Sequence, residues 1–112
     1  MTNIPYQIID WENVERTEHK GERGVSYWKT IQFEGLRIRE VEYGAGYIAD
    51  HWCEKGHIIY CIEGEVINEL DDGTKSTLTP GMSYMVSDGL SSHRSVSEKG
   101  GKFMIIDGDF LK

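Results

Sequence analysis

Gly46-Tyr-Ile-Ala-Asp-His51-Trp-Cys53-Glu-Lys-Gly-His57-Ile-Ile-Tyr-Cys61-Ile-Glu-Gly64 is the stretch on which the fold turns. Successive side chains of a β-strand point to opposite faces. Read as a strand over Gly46–Cys53, the first half therefore puts His51 and Cys53 on one face, with Tyr47 and Ala49. Glu54-Lys55-Gly56 supplies a reversal. On the following strand His57, Ile59 and Cys61 share one face and Ile58, Tyr60 and Ile62 the other. A tight hairpin with this turn sets His57 beside Cys53 and gathers three metal-competent side chains. It also places Cys61 opposite a residue near position 49 rather than opposite Cys53, so no disulfide is expected between the two cysteines. His93 follows the Asp88-Gly89 turn and is a candidate fourth ligand.

Outward from this stretch the chain continues in the same idiom. Short runs with strand composition cover Tyr27–Glu34, Leu36–Tyr43, His57–Glu63, Glu65–Leu70, Lys75–Leu78, Ser83–Val86, Arg94–Val96 and Lys102–Ile106. Between them stand the turn signals Glu34-Gly35, Gly44-Ala45-Gly46, Asp72-Gly73, Pro80-Gly81, Asp88-Gly89 and Gly100-Gly101. Asp-Gly tolerates the positive φ that tight hairpins require. Many short strands at this spacing predict a sandwich or barrel. The polar segment Trp11–His19 reads as a helical turn or a loop. There is no internal repeat, low-complexity tract or linker.

Composition bounds the function. At 112 residues the chain builds one core and not two. Its apolar content is that of an ordinary globular chain. A net charge of −7 makes a nucleic-acid backbone or an anionic membrane a poor partner. No apolar run reaches the length of a membrane span, and Met1–Asp10 lacks the basic start and apolar core of a secretory signal. Two reduced cysteines in such a chain lead one to expect a cytoplasmic protein.

At His51, Cys53, His57, Gly64 and His93 the sequence resembles the cupins, small all-β proteins of the double-stranded β-helix or jelly-roll kind. The first cupin motif sets a glycine before a His-x-His pair, then a glutamate, then a closing glycine. Here Gly46 precedes, His51 matches the first histidine, Cys53 stands in place of the second, His57 in place of the glutamate, and Gly64 closes. For the second motif, Gly81 is followed by Ser87-Asp88-Gly89, with serine where a proline is usual, and His93 comes one residue late. The string Asp50-His51-Trp52-Cys53 resembles that of a subgroup of small cupin-fold proteins; no activity comes with that likeness. The resemblance implies a cupin barrel over residues 27–112, with residues 1–26 packing on the barrel or on a dimer partner. It also implies a homodimer in which an Ile4–Trp11 strand crosses to the other copy.

His51, Cys53, His57 and His93 are thus the expected metal ligands. Three imidazoles and a thiolate carry the formal charge of three imidazoles and a carboxylate, but form a softer set. That set suits a divalent transition metal, zinc first, with iron or nickel also accommodated. The competing reading is that a barrel-lining histidine is an ordinary hydrogen-bonded core residue and Cys53 a small buried hydrophobe. Cys61 reads as packing and His19 as surface. Tyr47 either closes one end of the cavity or hydrogen-bonds a small-molecule ligand. Arg37 and Arg39 point to one face: inward they would bind an anionic substrate, outward they are simply solvated. Trp28 and Trp52 are expected on faces away from such polar groups, Trp52 as a candidate dimer contact. Met82, Met85 and Met104 read as core fillers. Two functions follow. One is a metal-dependent enzyme acting on a small polar or anionic molecule. The other is a non-catalytic small-molecule- or metal-binding protein with a closed or empty site. A thiol-based redox role for Cys53 is a third.

Overall fold

The computed structural model describes residues 3–112. Ten strands form two antiparallel sheets. They are β1 (Arg16–Lys20), β2 (Val25–Phe33), β3 (Leu36–Tyr43), β4 (Tyr47–Ile48), β5 (His57–Gly64), β6 (Val66–Leu70), β7 (Lys75–Leu78), β8 (Ser83–Val86), β9 (His93–Ser97) and β10 (Gly101–Gly108). The larger sheet has the order β1-β2-β3-β10-β5-β8 and the smaller β4-β9-β6-β7. Short 3₁₀ turns occupy Trp11–Asn13 and Asp109–Leu111.

Alternation explains the core. On β5, His57, Ile59 and Cys61 are buried while Tyr60 and Ile62 are exposed. On β10, Phe103, Ile105 and Asp107 turn inward. Ile59, Cys61, Phe103 and Ile105 join Val41, Tyr43, Tyr47, Val66 and Leu78 in one cluster between the sheets. Ile62 is an extra residue in β5, because Lys102 pairs with Glu63 while Phe103 pairs with Cys61. This bulge lets β5 bend as it leaves the sheet. Gly64 ends the strand in the left-handed region, at φ 78°. A side chain there would collide with the Gly100 backbone as well as straining φ.

Several expectations change. The hairpin through Glu54–Gly56 does not form. The strand expected over Gly46–Cys53 ends at Ile48 and pairs with β9 in the small sheet, while β5 pairs with β10 and β8 in the large one. Residues 49–56 carry the chain from one sheet to the other. Cys61 lies opposite Phe103, and both cysteines are free thiols, so the absence of a disulfide stands for a different reason. Trp11–His19 is neither helix nor loop throughout: it holds a 3₁₀ turn and most of β1, the edge strand beside β2. No strand forms between Ile4 and Trp11. Met82 and Met85 are 46% and 70% exposed, so neither fills the core, and Met104 is half-buried on the outer side of β10.

Candidate metal centre

Loop clamps bring the site together across the gap left by the missing hairpin. Cys53 and His93 exchange backbone hydrogen bonds, N to O at 2.7 Å and 2.9 Å, an isolated bridge that fixes the crossing segment to the start of β9. The Gly56 amide donates to Asp88 Oδ1 at 2.6 Å, and the Gly89 amide to the Glu54 carbonyl at 2.8 Å. Gly56 has no room for a side chain, because a Cβ there would press on the backbone of Val86–Asp88. The loop between Cys53 and His57 is thereby held against the turn that precedes His93.

The result is a compact donor set. Ligand atoms of Cys53, His57 and His93 all lie within 4.8 Å of one another. His57 and His93 are 9% and 2% exposed, and their Nε2 atoms are 2.7 Å apart. Burial first, then the neighbouring His93, pushes the His57 imidazole down to about 4. Burial also lowers His93. Both rings are therefore neutral near pH 7, and each facing nitrogen offers a lone pair in the tautomer that carries the proton on Nδ1. His93 Nδ1 is 3.0 Å from Ser91 Oγ, a bond that orients the ring. His57 Nδ1 is buried with no partner, as is the hydroxyl of Tyr84, whose ring lies edge-on to both imidazoles. Neutral imidazoles and a half-buried thiol around one point are the chemistry a borderline-soft divalent ion requires. The residues fit such an ion.

His51 does not join this set. Its side chain is 72% exposed and its Nδ1 lies 2.7 Å from Asp50 Oδ1, at the rim of the cavity. Period-two alternation holds only within a strand, and His51 lies beyond the end of β4. Cys53 reaches the site through its backbone pairing with His93 instead.

The donor set opens into a cavity of about 390 Å³ between the sheets, within the range of small-molecule sites. Arg37 and Arg39 both line it, which settles their direction as inward. Between them stands Asp107, 2% exposed. Arg37 donates to it through Nε at 3.1 Å and Nη2 at 2.8 Å, and Arg39 through Nη2 at 3.2 Å. Burial alone would raise the Asp107 carboxyl, but the Arg37 hydrogen bonds and the two guanidinium charges hold it below its ordinary value. Trp28 is on this inward face too, contrary to expectation. It pairs across from Val41, and its ring lies 4.4 Å from the Arg39 guanidinium carbon and 3.7 Å from the His19 ring. His19 is accordingly half-buried rather than a plain surface residue. Tyr47 lines the cavity and stacks on Tyr43 at 4.4 Å. Trp52 does face outward, 41% exposed, with the Arg94 guanidinium 4.8 Å from its ring. Asp107 escaped the sequence reading, yet its signal was present: it falls in phase with the inward Phe103 and Ile105.

No protein-family model matches the chain, and no curated protein matches it in sequence. Solved structures do. An RmlC-like cupin from Shewanella frigidimarina aligns over 93% of this chain and 91% of its own, with a TM-score of 0.71 and 21% identity. An ectoine synthase from P. lautus aligns over 92% and 78%, at 0.74 and 19%. The chain has the cupin fold. A variant oxalate decarboxylase from Bacillus subtilis matches 97% of this cupin-fold chain but 31% of its own, at 0.70 and 17%. Among the described residues no helix is long and apolar enough to cross a membrane.

Proposed function

We propose that this cupin-fold protein is a metal-dependent enzyme on a small polar molecule, with Cys53, His57 and His93 holding one divalent transition ion, zinc favoured. The observation that carries the reading is the convergence of a thiol and two neutral, buried imidazoles at the wall of a cavity that opens to solvent past Asp50 and His51. Three protein ligands leave a coordination position for water or substrate, which is the pattern of catalytic rather than closed structural sites. The ion, when bound, supplies Lewis-acid polarisation of a ligand oxygen. The chain's own residues do the rest: Ser91 orients His93, and Tyr43 and Tyr47 wall the cavity between the two sheets. Solved neighbours that are enzymes by name, the ectoine synthase and the oxalate decarboxylase, support catalysis on this architecture without selecting a reaction.

Cobalt substitution tests the reading. Protein stripped with chelator and titrated with Co²⁺ is expected to show a near-ultraviolet thiolate charge-transfer band at one equivalent, lost in Cys53→Ser. No such band in the wild type would sink Cys53 as a ligand.

A further inference from the structure

The cavity gathers positive charge that the rest of the chain does not. The protein carries a net −7, yet Arg37, Arg39, Lys55 and Arg94 line the cavity with Asp50 as the one carboxylate among them; Asp107 lies behind Arg37 and Arg39, and Arg94 is paired with Glu69. Asp107 accepts two bonds from Arg37 and one from Arg39. Arg37 is thus occupied along one edge of its fork. Arg39 is not: it is 6% exposed, its Nε is buried without a partner, and its guanidinium carbon sits over the Trp28 ring. A guanidinium that lies over an indole ring, is anchored to one carboxylate and keeps a buried Nε–H without a partner is preorganised for a planar oxyanion.

Register places this group relative to the donor set. Arg37 pairs with Asp107, and Ile106 pairs with Ile58, so the next step brings His57 beside Asp107. Arg37, Asp107 and His57 therefore form one inward row across three neighbouring strands. Arg39 lies one pleat along, opposite Ile105 and Thr30. At ~4.8 Å between strands and ~3.4 Å per residue, the Arg39 and His57 backbones are about 12 Å apart, with both side chains lining the same cavity. A small molecule can touch both.

We propose that Arg39, fixed by Trp28 and Asp107, receives an oxyanion group of the ligand, a carboxylate or a phosphate, while the ligand's other end faces Cys53, His57 and His93. This deepens the metal-dependent reading by naming the ligand's charge and its orientation. The oxyanion end stands on Arg39 alone and is testable without metal.

Calorimetric titration of the purified protein with malonate, inorganic phosphate and the neutral malonamide provides the test, repeated on Cys53→Ala to remove the metal ligand set. Malonate or phosphate is expected to bind and malonamide not to. The tighter of the two anions assigns the group. Arg39→Gln is expected to weaken binding by about tenfold or more, since hydrogen bonds to a charge are lost, with Arg39→Lys in between. The same ordering is expected in Cys53→Ala. If Arg39→Gln does not fold, Arg39→Lys and the malonate–malonamide comparison decide. Equal binding of malonamide, affinity unchanged in the Arg39 variants, or no binding of either anion to the wild type overturns the proposal. These outcomes are independent of metal content, so failure of the metal reading is seen separately.

Discussion

Asp107 is the residue on which the interior electrostatics depend. It is one buried carboxylate against two guanidinium groups, and its removal leaves Arg39 as an uncompensated buried charge. Breaking a buried pair from one side costs about 3–5 kcal/mol. Asp107→Asn is expected to lose stability on that scale in urea unfolding; a change under about 0.5 kcal/mol, the range of ordinary surface substitutions, would contradict it. The pH dependence has a definite sign. The folded carboxyl is held below its ordinary value, so its contribution is fully present above the unfolded value of about 4 and is lost as pH falls through the folded one. Wild-type stability should therefore fall in acid by more than that of Asp107→Asn. Parallel curves would show that Asp107 is not the group responsible.

At the scale of elements, the strands were largely legible and the crossing between sheets was not. Leu36–Tyr43, Lys75–Leu78 and Ser83–Val86 have the boundaries that composition and turn residues predict. Glycines at the turns and β-branched alternation between them are local signals, and local signals suffice for strands. The segment 49–56 is governed by partners distant in sequence. Asp88 reaches the Gly56 amide, and His93 reaches the Cys53 backbone. Neither contact has a signature at positions 49–56, so extrapolated alternation misplaced His51 and supplied a hairpin that is absent. His57 and His93 were legible because both stand at the first position of a well-formed strand. The clamp has a measurable consequence. Asp88→Ala removes the acceptor for Gly56 without touching a ligand, and is expected to weaken metal affinity by roughly tenfold, the lower end for supporting residues of metal sites. Unchanged affinity would contradict a role for the Asp88 contact in holding the loop, leaving the Gly89–Glu54 bond and the Cys53–His93 bridge to do so.

At the scale of the whole molecule, the outer face of the large sheet is unusual. Met85, Ile58, Ile106, Ile38 and Ile31 pair strand to strand in a continuous row. Met85 is 70% exposed, and Tyr60, in the adjoining row, 48%. We propose that a second copy of the chain covers this row, since a two-fold axis would set one apolar row against another. Light scattering is expected to give twice 12.8 kDa, falling to the monomer in Met85→Lys. A wild-type monomer would end the expectation of a homodimer.

The central claim, that Cys53, His57 and His93 hold one ion and His51 does not, is tested most directly by elemental analysis of untagged protein after equilibration with zinc and gel filtration. The account predicts about one equivalent in the wild type and in His51→Ala, consistent with a three-ligand site, and a near-complete loss in Cys53→Ala and His57→Ala. Equal metal content in all four proteins, or none in the wild type, would contradict it.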